Sequence, residues 1–177
     1  MTKRNTLDFG DYEAIAGAAL RLPFISKQEL MDGMVMKGIG EAERVRGVDV
    51  PMDRVVGVWS LDDWAGRGLD DFGRAEANGG HSSLSAIAHY GGGERERFAG
   101  VHVEPFMDSE GQVYYYTSGD GSHRTCAYKL RSDKVLKGAE MNPYHELPKV
   151  NFSVRERLLA QVKRHNEEIG GCCTWFR

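Results

Sequence analysis

The sequence predicts an α/β (α+β) fold: a small mixed sheet with flanking helices, extra N-terminal helices and one long C-terminal helix. Three observations carry this. Hydrophobicity alternates with period two over Val101-His102-Val103-Glu104-Pro105-Phe106, and the turn sequence Asp108-Ser109-Glu110-Gly111 leads into the strand-like run Val113 to Thr117, which describes a β-hairpin. Ser153 and Glu156 form a capping-box pattern ahead of Val154, Leu158, Leu159, Val162 and Ile169, which recur at helical spacing. The hairpin also runs into Gly119-Asp120-Gly121-Ser122-His123-Arg124, a glycine turn that opens a further helix at about Ser122.

The elements follow in chain order. Residues 11–20 have an acidic first turn and an alanine-rich body, so they form a short helix despite Gly17. Ser26 and Glu29 make a second capping box, and Leu30, Met31, Met34 and Val35 share a helical face that Gly38 closes, with the methionines as core filler. From Arg46 the pattern turns to β structure through Val48, Val50, Val55, Val56 and Val58, broken at Pro51. Ser60 to Trp64 reads as a short helix, residues 73–81 as a loop with a solvated His81, and Ser82 to Tyr90 as a helix stopped by Gly91-Gly92-Gly93. The alternating Glu94-Arg95-Glu96-Arg97 is a solvated segment. Beyond Leu130, Gly138, Pro143 and Pro148 predict mostly loop, with a short edge strand at Lys134 to Leu136, before the last helix. In domain terms, residues 1–45 form an N-terminal helical extension, 46–132 the core, and 133–177 a loop plus the C-terminal helix packed on it, within one globular domain.

Composition bounds the function. The chain has 177 residues, 41% hydrophobic and 28% charged, enough for one domain with a real core. Its net charge of −3 supplies no global basic field, so a DNA partner would need a local patch. Three cysteines, two of them adjacent at Cys172-Cys173, make neither a disulfide framework nor a zinc pattern, which fits a reducing compartment. With no apolar leader and no run of membrane-spanning length, the expectation is a cytoplasmic protein without a membrane partner. The apolar tail Cys172 to Phe176 should pack on something, for which a second copy in a homodimer is one candidate.

The chemistry concentrates at the glycine turn. Gly119 and Gly121 allow close backbone approach, the first amides of the following helix precede its hydrogen-bond ladder, and His123 and Arg124 stand alongside, so a phosphate is the natural guest. Asp120 admits two readings, a metal- or nucleophile-directing carboxylate or an Asx turn that shapes the loop. Arg124 has two uses as well, a phosphate clamp or a buried salt bridge. His102 and Glu104 share a strand face that is either a polar site wall or the wet side of the sheet, and the mixed segment Asn142-Pro143-Tyr144-His145-Glu146 is placed to close over a ligand.

Gly121-Ser122-His123-Arg124 followed by Ala127 resembles the Gly-x-x-Arg turn of the ParB/sulfiredoxin-like superfamily, and Asp120-Gly121-Ser122-His123-Arg124 is similar to its DGQHR branch with Ser122 in place of glutamine. Val48 to Asp53 is similar to that family's first strand, and the likeness covers roughly residues 46–132. It implies a nucleotide-binding core in which Gly119, Gly121, Ser122, His123, Arg124 and Thr125 hold the phosphates of a nucleoside triphosphate, ATP or CTP, with magnesium at Asp120. Asp120, Ser122, His123 and Glu104 are then the catalytic candidates, with Asp53 a further carboxylate, and the implied activity is NTP-dependent phosphotransfer or NTP hydrolysis.

Two family activities do not transfer. Sulfiredoxins carry a cysteine where this chain has Ser122, and an alcohol does not perform thiolate chemistry at neutral pH. Partition proteins add a helix-turn-helix, whereas the residues after Leu130 offer one long helix. The alternative reading is a non-catalytic ParB-like regulator that binds DNA or a protein, or a nuclease-like domain.

Overall fold

The computed structural model describes residues 7–19, 21–40, 43–58, 83–92, 100–118 and 121–168. The protein is a mixed α/β structure of the α+β kind. Its elements are α1 (Tyr12–Ala19), α2 (Lys27–Gly33), β1 (Met34–Met36), β2 (Ile39–Gly40), β3 (Val45–Pro51), a 3-10 turn (Met52–Arg54) and β4 (Val55–Val58). There follow α3 (Ser83–Gly92), β5 (His102–Met107), β6 (Val113–Thr117), α4 (Ser122–Leu130), β7 (Val135–Met141), β8 (Tyr144–Glu146), β9 (Lys149–Val150) and α5 (Val154–Glu168). Ser60 to Trp64, residues 73–81 with His81, Glu94 to Arg97, Gly119, Asp120 and the tail from Ile169 lie outside the described residues.

Among the described residues, seven strands form a mixed sheet around β5. On one side β5 pairs antiparallel with β6, which pairs parallel with β4. On the other side the sheet forks. The start of β5 pairs parallel with β7 at His102↔Glu140 and Val103↔Met141, whereas its end pairs parallel with β9 at Met107↔Lys149. From β7 the sheet continues antiparallel to β3, and from β9 antiparallel to β1; β2 and β8 make a separate two-stranded ribbon. Pro105 sits on the forked edge. Val101 O and Met107 N both make backbone bonds on that side, to Glu140 N and Pro148 O, so by alternation residue 105 faces it too, between the two pairings, where no ladder partner asks for an N–H.

Three apolar clusters hold the layers. Helix α4 packs Cys126 and Ala127 with Val58, Ile15, Phe24 and Ile87, bringing α1 and α3 to the same cluster, and Tyr128 with Val50, Val55, Val101, Val103 and Leu136. Helices α2 and α5 contribute Leu30 and Val154 to a third cluster with Phe106, Tyr114, Tyr116 and Val150. Tyr116 lies across Gly57 and donates its hydroxyl to Val58 O at 2.8 Å; a Cβ at Gly57 would meet the ring and stand 2.7 Å from Ile25 O. Asp108, 4% exposed, joins hairpin to helix: its carboxylate accepts from the amides of Glu110 and Gln112 in the turn and of Val154 at the start of α5.

The structure differs from the sequence reading in several places: Met31 is exposed rather than core filler, α3 runs through Gly91 and Gly92, and residues 1–45 include the strands β1 and β2. The helix after Ser26 keeps its full reciprocal capping box but ends at Gly33, and Met34–Met36 is strand β1 rather than helix, because it pairs with β9 and Gly33 O accepts from Asn151 N. The segment after Leu130 is not mostly loop: β7 is seven residues long and lies between β3 and β5, with Leu136 and Ala139 fully buried. Gly138, read as a loop signal, sits inside that strand at φ +67° and donates its amide to Asp49 Oδ1.

Candidate functional site

Helix α4 opens as the glycine turn predicts. Its N-cap is Gly121 at φ +115°, a left-handed conformation, and a Cβ there would stand 2.8 Å from Val101 Cγ1, so conformation and space both require glycine. The ladder begins with Thr125 N–H donating to Gly121 O at 2.8 Å, which puts the amides of Ser122, His123 and Arg124 ahead of it. Ser122 and Thr125 are buried, and the Thr125 hydroxyl is spent on Thr117 Oγ1 at 2.9 Å, tying β6 to α4. Arg124 is 9% exposed with its guanidinium 6.0 Å from the centre of the Tyr90 ring, so it is packed into the fold rather than held at the surface.

The same end of the sheet carries a polar cluster. Glu104 accepts from Ser118 Oγ at 3.0 Å and Asn142 Nδ2 at 2.6 Å on Oε1, and from the Tyr144 hydroxyl at 2.9 Å on Oε2. All three donors are neutral. The Tyr144 phenol is raised above its ordinary pKa by burial, then by its bond to Glu104 and that carboxylate's charge. Asn142 also accepts from Arg44 Nε on Oδ1 at 3.1 Å, which fixes its amide orientation and links the guanidinium to the carboxylate. Arg44 Nη1 lies 2.7 Å from His102 Nδ1 and 3.1 Å from its Nε2, and His102 Nε2 faces Glu140 Oε2 at 3.0 Å. Glu140 meets Arg46 Nε at 3.5 Å as well, and an open cavity of about 520 Å³ is lined by Glu43, Arg44, Arg46 and Glu140.

Turn and cluster share a neighbour in the start of β5. Val101 packs against Gly121, His102 follows it, and Ser118 N–H donates to His102 O at 2.9 Å just before the turn. Of the residues singled out in the sequence, Gly121, Ser122, His123, Arg124 and Thr125 form the first turn of α4, and Glu104 stands in the adjoining cluster. Gly119 and Asp120 lie outside the described residues. Asp53 is not with them: its charge acts on Lys129 in the last turn of α4, at the far end of that helix.

Of the segment expected to close over a ligand, Asn142 and Tyr144 donate to Glu104, and His102 on the same strand face meets Arg44 and Glu140. Arg44, Ser118 and Glu140 were not singled out by the sequence. Among the described residues no group of three or more His, Cys, Asp or Glu side chains is arranged to hold a metal. On α5, Arg157 is engaged by Glu29 at 3.1 Å and by the Phe152 ring at 4.1 Å. No helix among the described residues is long and apolar enough to cross a membrane.

Comparison of the chain with protein-family models, with curated proteins and with solved structures gave no match.

Proposed function

We propose that this chain binds a nucleoside triphosphate with its phosphates at the amino end of α4 and transfers or hydrolyses the terminal phosphoryl group, with Glu104 as the carboxylate that orients the attacking oxygen. One observation carries the reading: Gly121, forced to φ +115° against Val101, opens an amide-lined helix start at the end of the sheet where Glu104 is fixed by three neutral donors. Phosphoryl transfer asks for positioning and electrostatics, and a helix start at the same end of the sheet as a fixed carboxylate, on the other face of β5, offers both at that end.

The donor set suits magnesium held through the nucleotide. Such an ion takes most of its ligands from phosphates and water with one or two carboxylates, and Oε2 of Glu104 keeps acceptor capacity beside Tyr144. When bound, the ion would neutralise charge developing on the phosphates.

The test is thermal unfolding with ATP, CTP, GTP and UTP in turn, each with magnesium, alongside phosphate release. A ligand at about a hundred times its dissociation constant adds about 2.7 kcal/mol to the native state, with a logarithmic dependence beyond. Arg124→Gln should lose the shift, and Glu104→Gln should keep the shift while losing turnover. Because Arg124 is buried, the unliganded melting temperature of its variant is expected to fall and is measured in the same series. Absence of any shift with all four nucleotides, or an unchanged shift in Arg124→Gln, refutes the proposal.

A further inference from the structure

We infer that Ser118 is itself a phosphoryl acceptor, so that the protein modifies its own strand end with phosphate from the nucleotide. This rests on the nucleotide reading above, but it is carried by separate contacts. Ser118 Oγ donates to Glu104 Oε1 at 3.0 Å, the pairing of a hydroxyl nucleophile with its base, and leaves the oxygen lone pairs turned away from the carboxylate. Glu104 is held by two further bonds, from Asn142 on the same Oε1 and from Tyr144 on Oε2. The backbone of Ser118 is fixed by its amide bond to His102 O, three residues before Gly121 at the start of α4.

The step balances without any reactant beyond the triphosphate. Ser118 Oγ attacks the terminal phosphorus, the Oγ–P bond forms, and the bond from that phosphorus to the bridging oxygen breaks. Nucleoside diphosphate leaves, and the Oγ proton passes to Glu104. The product would bring a dianion beside a carboxylate, a costly arrangement unless a cation is at hand. Arg44 is that cation. Its guanidinium is held by the amide oxygen of Asn142 and the ring of His102, and the contact to Asn142 links it to Glu104. Exchanging these acceptors for a dianionic phosphate adds an ion pair to bonds the guanidinium already charge-assists, so the phosphorylated state would pull Arg44 across and release Glu104 from Ser118.

The experiment is intact-mass and fragmentation analysis after incubation with magnesium and each triphosphate in turn, with Ser118→Ala and Arg124→Gln proteins purified identically to exclude a carried-over kinase. The wild type should gain one phosphate, mapped to Ser118. Ser118→Ala should gain none while still showing the nucleotide-dependent melting shift, and Glu104→Gln should gain it on the order of a hundredfold or more slowly. A melting shift with Ser118 unmodified, or phosphate mapped to another residue, overturns this inference and leaves the nucleotide reading standing. Absence of both shift and phosphate overturns the two together.

Discussion

Lys129 gives the structure a pH dependence whose sign and size follow from its surroundings. Its amine lies in the last turn of α4, donates to Met52 O at 2.6 Å and sits 5.9 Å from the Phe24 ring. Burial pulls its pKa down from the ordinary 10.5 to about 8, against the opposing pull of Asp53 and Cys126. Below pH 8 both folded and unfolded chains carry the proton, and the folded state bears the cost of a desolvated ammonium. Between about 8 and 10.5 the unfolded chain keeps its proton while the folded one releases it, so stability rises with pH across that window. At about 1.36 kcal/mol per pH unit, the gain between pH 7 and 9.5 is roughly 2 kcal/mol. The bond to Met52 survives, since a neutral amine still donates.

Other groups act in the opposite direction. Burial pushes the Cys126 thiol far up, so from about pH 9 the unfolded chain alone ionises it and stability falls; Tyr114, Tyr128 and Tyr144 do the same at higher pH. The measurement is therefore a difference. Urea unfolding of wild type and Lys129→Met is followed from pH 7 to 9.5, so that the shared thiol and phenols cancel. Wild type should gain about 2 kcal/mol relative to the variant over that range. Parallel profiles would mean that the amine is solvated as it titrates, and the reasoning from burial would be wrong.

Two further outcomes concern packing. Asp108→Ala leaves three amides without their acceptor in a buried corner and should cost about 2–4 kcal/mol in urea unfolding, with Asp108→Asn intermediate; a loss below about 1 kcal/mol would mean that water satisfies the turn and the start of α5. Gly57→Ala drives a methyl into the Tyr116 ring and toward Ile25 O, and should destabilise by about 1–3 kcal/mol with loss of the Tyr116 hydroxyl bond to Val58; a near-neutral result would show that the ring can move.

What was legible in the sequence was local. The capping box of Ser26 and Glu29, the serine-led start of α5, the hairpin and its Asp108 turn all depend on residues a few places apart, and each appears where its pattern stands. Only the start of β7 was legible, as a short edge strand at Lys134 to Leu136; its length and its place between β3 and β5 were not, because its glycine reads as loop and its partners come from distant parts of the chain. Met34 and Val35 failed in the same manner: their spacing suits a helix face, but β9 offered backbone pairing that local periodicity does not encode. In the candidate site, Glu104 was visible from period-two alternation. Ser118 and Arg44 were not, since each is defined by contacts made across the sheet.

Pro105 ties these failures to the site. A proline within a strand ordinarily marks an edge, yet β5 lies in the middle of the sheet with β6 on one side and both β7 and β9 on the other. The fork reconciles the two. Had β7 and β9 been one continuous strand, the residue facing them at position 105 would owe a ladder bond that proline does not make. Instead the chain leaves the sheet after Met141 and returns at Lys149, and the bow between them carries Asn142 and Tyr144 over Glu104. The residue that breaks the ladder thus marks the stretch of β5 beside which the polar cluster assembles, and the cluster sits where the sheet is left open.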